Sequence, residues 1–455
     1  MLDDIINERK KKLTDLINAG VNPYPAKAKR SYVISEALEN FGSFSRQKKK
    51  ISIAGKIVGL RDQGGLIFTD LDDGSSKIQA VLKKANLKNF KLLKDNLDVG
   101  DFVSVSGTLF ITKTKEKSVE AKEASIIVKS LRPLPTQWYG FKDVEERFRK
   151  RYLDIFLNKE VKEKLIKRSE IVKELREMLW KEGFVEFETP TLQSIAGGAL
   201  ARPFSTHHNA LDTDFYLRIA PELYLKRLLV AGFDKVFELG KSFRNEGIDR
   251  EHNPEFTILE FYWAYQDWGG LMKFTEKLLK KWFKKKIKRV TFEEAMKKYA
   301  NFDLRKKNLS DPKIKDEIEE AFKKEVRPKI IEPTFVVKYP KVISPLAKAC
   351  EDDPNFTERF QLLAEGTELI NAYSELNDPV DQRARMEEQE KMFREGDKEV
   401  SRLDEDFLEA LEYGMPPAAG WGLGVDRLVA IITKSHNVKE IIPFPTLRPV
   451  KNDEQ

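Results

Sequence analysis

Between Arg244 and Phe256 the chain places an arginine, a carboxylate, a histidine, an asparagine and an aromatic ring in one short string, RNEGIDREHNPEF. Arg244 offers a planar fork of donors that matches a phosphate. Glu246 can accept from an exocyclic amine, and His252 and Phe256 offer donors or flat faces to a base and its phosphates. Together they suit a nucleotide. The alternative is a surface hairpin carrying an Arg244–Glu246 ion pair, a common and weak feature.

Apolar runs flank the string, Lys235 to Leu239 before it and Phe256 to Tyr262 after it. They predict two antiparallel strands joined by a long polar loop. A purely structural hairpin favours a tight Asn-Gly or Asp-Gly turn, whereas long ordered loops on a rigid scaffold carry function. A second chemical cluster follows at Glu368, Asn371, Tyr373 and Glu375. Odd positions 371, 373 and 375 share one face of a strand, which sets an amide, a phenol and a carboxylate side by side.

The string FRNEG…HNPEF resembles motif 2 of the class II aminoacyl-tRNA synthetases, in the form found in lysyl-tRNA synthetases. Aspartyl and asparaginyl enzymes end this motif in Gln-Pro-Glu-Phe instead. Ala419-Gly420-Trp421-Gly422-Leu423-Gly424-Val425-Asp426-Arg427 resembles motif 3, a glycine-spaced strand running into a helix. The predicted helix 160–182, the strand Phe184-Val185-Glu186-Phe187 and Pro190 resemble motif 1. Motif 1 implies a homodimer interface; periodicity alone fits a buried helix face within one subunit equally well.

The resemblance implies an α+β chain. An N-terminal OB-fold β-barrel precedes a class II catalytic domain, an antiparallel sheet flanked by helices. The expected divisions are a helix and basic linker over 1–50, an anticodon-binding barrel over 51–132 and the catalytic domain over 133–455. The implied reaction joins L-lysine to its tRNA through lysyl-adenylate, with ATP and Mg²⁺. Arg244 is then expected to stabilise charge at the α-phosphate, Glu246 to hold the adenine amine and Phe256 to stack on the ring. Arg427 holds the γ-phosphate, His252 contacts the distal phosphates and Asn253 supports the loop. Gly198, Glu222, Glu260, Tyr262, Asn371, Tyr373 and Glu375 are the expected lysine-binding set. An ammonium on a four-carbon stem needs anions in a desolvated pocket, which Glu222 and Glu375 supply. The ordinary alternative for Glu222 is a favourable charge at a helix start behind Pro221, worth about 0.3–1 kcal/mol.

One departure stands out. The family has a glutamate seven residues before Glu368 and the pair shares Mg²⁺; here that position is Gln361. A glutamine carbonyl binds a hard cation without contributing charge, so Glu368 is the expected main ligand.

Residues 51–130 change character. ISIAGKIVGL, LIFTDLDD, KIQAVL, DFVSVSGTLF and SIIVKSL are short strand candidates, with a helix-like NFKLLKDNL before the fourth. That pattern fits an OB barrel, a fold that stacks unpaired bases on aromatics. The resemblance carries Arg61, Phe68, Gln79 and Glu123 as anticodon readers. Phe68 as ordinary barrel core is the alternative.

Composition narrows the classes. Of 455 residues, 41% are hydrophobic and 34% charged, and the net charge is 81 − 74 = +7. Residues 1–50 hold 11 Lys/Arg against 6 Asp/Glu, which fits either attraction to nucleic acid or a solvated tail. No apolar run suggests a membrane span, and MLDDIINERKKK does not read as a secretory signal. The single cysteine, Cys350, permits no internal disulfide and fits a reducing cytoplasm as a buried, idle thiol. Leu2 to Ala19 predicts an amphipathic helix. Residues 269–332 are lysine-rich and read as mostly helical. The run 273–289 is taken as a solvated helix face, against contact with a tRNA backbone. Two competing classes are a synthetase paralogue acting on another acceptor, disfavoured by the barrel, and a catalytically dead RNA-binding protein, disfavoured by Arg244, Glu246 and Arg427.

Overall fold

The computed structural model describes residues 2–135, 143–199, 201–309, 311, 314–394 and 402–449. The chain forms two compact units, Met1–Asp143 and Val144–Gln455.

In the first unit, strands β1 (Lys50–Asp62), β2 (Leu66–Asp72), β3 (Lys77–Lys83), β4 (Phe102–Ile111) and β5 (Lys117–Val128) close a barrel in the order β1-β2-β3-β5-β4. Alternation drives it: Ile51, Ile53 and Ile57 on β1 and Ile67 and Leu71 on β2 point inward and are buried. Helix α1 (Leu2–Asn18) precedes the barrel, ending at Gly20 with φ 74°, and α2 (Phe90–Asn96) lies between β3 and β4. Arg9 of α1 donates to the Val99 and Ser130 carbonyls at 2.9 and 3.0 Å.

The second unit is built on an eight-stranded sheet in the order β12-β13-β14-β15-β16-β11-β10-β6. Its strands are β6 (Val185–Glu186), β10 (Lys235–Phe243), β11 (Glu255–Ala264), β12 (Lys288–Thr291), β13 (Thr334–Val337), β14 (Arg359–Ala364), β15 (Thr367–Ser374) and β16 (Ala418–Gly424). A small separate sheet holds β7 (Leu192–Gln193), β8 (Ser205–His208) and β9 (Thr213–Leu217). From β13 to β10 neighbours pair antiparallel, while β12 and β6 join the two edges in parallel. The sheet is therefore mixed at its rims. Strand β12 lies inside the segment read from sequence as helical. Its pairing with β13, made far along the chain, overrides the lysine-rich pattern.

Each strand presents one face to the core. Leu259 and Phe261 of β11, Trp421 and Leu423 of β16, Ile370 and Ala372 of β15 and Phe360 and Leu362 of β14 are buried together. They meet Ile171, Leu175 and Leu179 of α3 (Lys159–Lys181). Phe261 stacks on Trp421 with ring centroids 4.8 Å apart. Burying such side chains contributes about 1.5–3 kcal/mol each. The lysine-rich segment also contributes: α4 (Glu222–Val230) is followed by α5 (Trp268–Leu279), which buries Leu271, Phe274, Leu278 and Leu279 while its lysines face solvent. The hairpin β14–β15 turns on Glu365 and Gly366, with φ 52° and 75°, the backbone of a tight type I′ turn.

Helix α3 and the last helix are tied to the sheet by charge. Asp426 opens that helix (Val425–Ile432), accepts from Arg168 of α3 at 2.5 Å and from the Thr257 N–H at 3.0 Å. Replacing Asp426 by alanine leaves a buried arginine and a buried N–H without their acceptor. A loss of about 3 kcal/mol is expected, read as a lower urea midpoint; an unchanged midpoint contradicts this role.

Candidate functional site

The face of the sheet opposite the core lines a cavity of about 560 Å³. Two rows of side chains cross its floor in register. One runs Gln361, Asn371, Gly422 and Glu260, and the other Arg359, Tyr373, Gly420 and Tyr262. Glycine at 420 keeps the floor open: a Cβ there would sit 2.0 Å from Glu375 Oε1 and 2.5 Å from the Tyr262 ring. The loop Arg244 to Pro254 hangs between β10 and β11 and closes one end, lining the cavity with Arg244, Glu246, His252 and Asn253.

At that end the polar groups are held but not exhausted. Arg244 takes its place through its backbone N–H, which donates to the Pro254 carbonyl at 2.9 Å. Its guanidinium lies 5.0 Å over the Phe256 ring, and its buried Nε has no hydrogen-bond partner. Arg427, at the start of the last helix, donates to the Glu368 carbonyl at 3.0 Å and to His252 Nε2 at 2.9 Å. An arginine only donates, so Nε2 accepts, and the proton is on Nδ1, which meets Asp249 at 2.8 Å. Asp249, His252 and Arg427 are thus linked in one hydrogen-bonded chain. Burial pushes the Arg427 pKa below its ordinary value. Asn253 spends its amide on the backbone, donating to the Glu255 carbonyl at 2.7 Å and accepting from the Thr446 N–H at 3.3 Å. Glu246 is exposed at the cavity edge.

The other end is carboxylate-rich and dry. Glu222, Glu260 and Glu375 are buried, at 4%, 6% and 1% exposure. Gly198 lets the preceding loop pass close: with φ 85°, a Cβ there would lie 2.9 Å from Glu222 Cβ. Tyr373 donates to Glu222 Oε1 at 2.8 Å, and Tyr262 to Glu260 Oε2 at 3.1 Å. Asn371 accepts from Arg359 at 2.8 Å through its carbonyl, which leaves its NH₂ as a pair of donors. Burial, with Glu222 adding to it, pushes the Glu260 carboxyl up to about 8. Burial also pushes the Glu375 carboxyl up, against the pull of Lys226.

All of the residues expected at nucleotide and lysine line this one cavity except Glu375, which stands behind Gly420. Sequence reasoning missed Lys226, which pairs with Glu222 and Glu375, and Arg359, which orients Asn371. A lysine inside the apolar run Leu223 to Leu229 was the available signal for the first. It also gave no site role to residues 269–332, yet Lys315, Asp316 and Glu319 of helix Ile314–Ala321 line the cavity. No periodicity announces that placement.

Glu368 faces the cavity, and Gln361 Oε1 already accepts from the Tyr339 hydroxyl at 2.8 Å. Among the described residues no group of three or more His, Cys, Asp or Glu could hold a metal. The Glu368 carboxylate and the Gln361 carbonyl are hard oxygen donors of the kind that suit Mg²⁺. Cys350 is buried, with its thiol pushed up to about 11 by burial, and it is no nucleophile.

On the barrel, Arg61 pairs across strands with Phe68, and Asp70 with Gln79, so the three expected residues share one face of β1–β2–β3. Phe68 is half-buried beside inward-facing Ile67 and Thr69, so it is not barrel core. Gln79 accepts from Ser118 at 3.1 Å. Glu123 sits on β5 opposite Ser106, and ion pairs to Lys50 and Lys29 at 2.6 and 3.0 Å hold its carboxyl down at about 2.

A closed five-stranded barrel ahead of an antiparallel-centred sheet with an arginine-bearing hairpin loop defines a class II synthetase architecture. The family model for class II tRNA synthetases (D, K and N) matches residues 143–448, and that for the OB-fold nucleic acid binding domain matches 51–134. A lysine–tRNA ligase of Clostridium tetani is 42% identical over 99% of this chain and 97% of its own length. One from Moorella thermoacetica is 43% identical over 98% of both chains, and one from Chloroflexus aurantiacus 41% over 100% of both. The chain belongs to the lysine–tRNA ligase family.

The raised Glu260 value has a sign that can be tested. Its ordinary pKa is 4.5 and the folded value about 8, so between these the folded state binds the extra proton. The stability this contributes is complete below the lower value and is lost as pH rises through the upper one. Glu260→Gln stays neutral throughout. Its melting temperature relative to the parent is expected to climb steadily across that window; a constant difference contradicts a protonated Glu260.

Proposed function

We propose that this chain activates L-lysine with ATP to lysyl-adenylate and pyrophosphate, then transfers lysine to the 3′-hydroxyl of the terminal adenosine of its tRNA. The observation that carries this reading is the pair of buried carboxylates, Glu222 lining one end of the cavity and Glu375 just behind its Gly420 floor, with Arg244, Phe256 and Arg427 lining the same cavity. An alkylammonium and a nucleotide are thereby recognised at opposite ends of one space. The lysine carboxylate would lie between them, near the free NH₂ of Asn371.

Neither step needs a protein nucleophile; positioning and charge stabilisation do the work. Arg244 stabilises charge at the α-phosphate, with its unpartnered Nε as support. Phe256 and Glu246 hold the adenine, while Arg427 and His252 hold the distal phosphates and Asn253 braces the loop. Tyr262 and Tyr373 wall the lysine stem, with Gly198 and Glu260 beside it. Glu368, with the neutral carbonyl of Gln361, would hold Mg²⁺, which supplies charge neutralisation on the phosphates. The barrel face with Arg61, Phe68 and Gln79 would take up the anticodon by stacking and base-edge pairing, with Glu123 as its acidic reader. We read motif 1 as the surface of a homodimer, supported by the exposed Ile166 and Trp180 on α3. A cytoplasmic setting is supported by the lone cysteine. No described helix is long and apolar enough to cross a membrane.

ATP–pyrophosphate exchange against the twenty amino acids tests the reading, with lysine expected to be the one that supports exchange. Glu375→Gln should reduce kcat/KM for lysine by about 100-fold or more while leaving the KM for ATP near the parent value. Exchange with a different amino acid overturns the substrate assignment. Chelation of divalent ions should stop exchange, and Gln361→Glu should lower the Mg²⁺ concentration giving half the maximal rate. Full exchange in chelator refutes the metal reading.

A further inference from the structure

Lys226 lies one turn beyond Glu222 on α4 and its side chain is fully buried. Its ammonium donates to Glu222 Oε1 at 2.6 Å and forms an ion pair with Glu375 Oε2. The rings of Tyr373, Phe407 and Tyr262 surround it at 5.7, 5.9 and 6.0 Å from the nitrogen. Two carboxylates and an aromatic wall are the chemistry that recognises an alkylammonium, and here a side chain of the chain itself receives it.

The arrangement has a direction. Tyr373 and Lys226 both donate to the same oxygen of Glu222, so Oε2 is left without a partner among the described residues. Lys226 forms an ion pair with Glu375 at Oε2, and neither buried oxygen of that carboxylate has a hydrogen-bond partner among the described residues. Its Oε1 lies against Gly420, behind the floor of the cavity. The backbone of Glu375 is pinned separately, its N–H donating to the Ala418 carbonyl at 2.8 Å. The resident ammonium thus takes one oxygen of Glu222 by hydrogen bond and meets Glu375 by charge, which leaves hydrogen-bonding capacity on both carboxylates.

We propose that Lys226 is a positioning residue for the lysine pocket, a resident ammonium that bridges Glu222 and Glu375 and holds both carboxylates in place for the incoming substrate. This rests on the lysine reading given above. Without Lys226, two carboxylates facing each other in a dry site repel, and a shared proton replaces the missing cation. Burial works against the Lys226 charge, yet Glu222 and Glu375 together hold its pKa above the ordinary value, so it stays a cation. The other titratable groups facing this cluster are Glu260, Tyr262 and Tyr373. Burial raises all three, which disfavours their charged forms.

The test is exchange kinetics on three proteins. Parent enzyme exchanging with lysine establishes the reading underneath; no lysine exchange overturns both it and this proposal. Lys226→Met should raise the KM for lysine by about 100-fold and leave the KM for ATP within about twofold of the parent, because only the carboxylate end is disturbed. Lys226→Ala removes a segment the size of n-propylammonium. Adding n-propylammonium should lower its KM for lysine, whereas n-propanol should not, and the same amine should only compete with lysine on the parent enzyme. Equal loss for lysine and ATP, or rescue by the alcohol as well, reduces Lys226 to packing and overturns the proposal. Failure of both variants to fold, with ATP binding gone, does the same.

Discussion

Burying carboxylates is the constraint on which the catalytic unit depends. A charged carboxylate taken out of water costs several kcal/mol unless it is paired or protonated, and three are buried at one end of the cavity or just behind its floor. The unit meets this cost in different ways. Glu222 and Glu375 share the Lys226 ammonium, and Glu260 is held toward its neutral form with Tyr262 as its partner. The opposing side chains are supplied by α4, β11 and β15, so the charge arrangement exists only when those elements are packed. The core beneath, with Trp421 stacked on Phe261, is what holds the strands in the register that brings the carboxylates together.

The nucleotide end is organised on the opposite principle. Its groups are partly exposed and several donors are unspent, as suits a ligand that brings its own negative charge. Asp249, His252 and Arg427 form a chain of hydrogen bonds from the loop to the last helix, so the loop and the arginine are positioned together. Asp426, one residue before that arginine, faces the other way and anchors the helix to α3 and β11. Adjacent residues on one helical turn thus divide between the ligand and the scaffold.

Much of this was legible in the chain. The hairpin around the loop, the five barrel strands, the long helix Lys159–Lys181 and the glycine-spaced strand follow from alternation, 3.6-residue periodicity and turn residues, all local signals. Chemically unusual strings, such as the loop from Arg244 to Phe256 and the odd positions from Asn371 to Glu375, stand out because a structural strand or hairpin has no need of them. The strand Lys288–Thr291 did not stand out, since its lysine-rich surroundings look helical and only its distant partner Thr334–Val337 makes it a strand.

By itself the sequence determined most of the strands and helices that frame the site, a barrel followed by a catalytic domain, and the residue types available for a nucleotide and an ammonium. Those depend on near neighbours along the chain, where periodicity and motif spacing speak directly. Only the tertiary structure decided that Lys226 stands between Glu222 and Glu375, that Arg359 turns Asn371, and that Lys315, Asp316 and Glu319 wall the cavity. These contacts join side chains far apart in sequence, and their geometry is set by sheet register and packing, neither of which leaves a local trace.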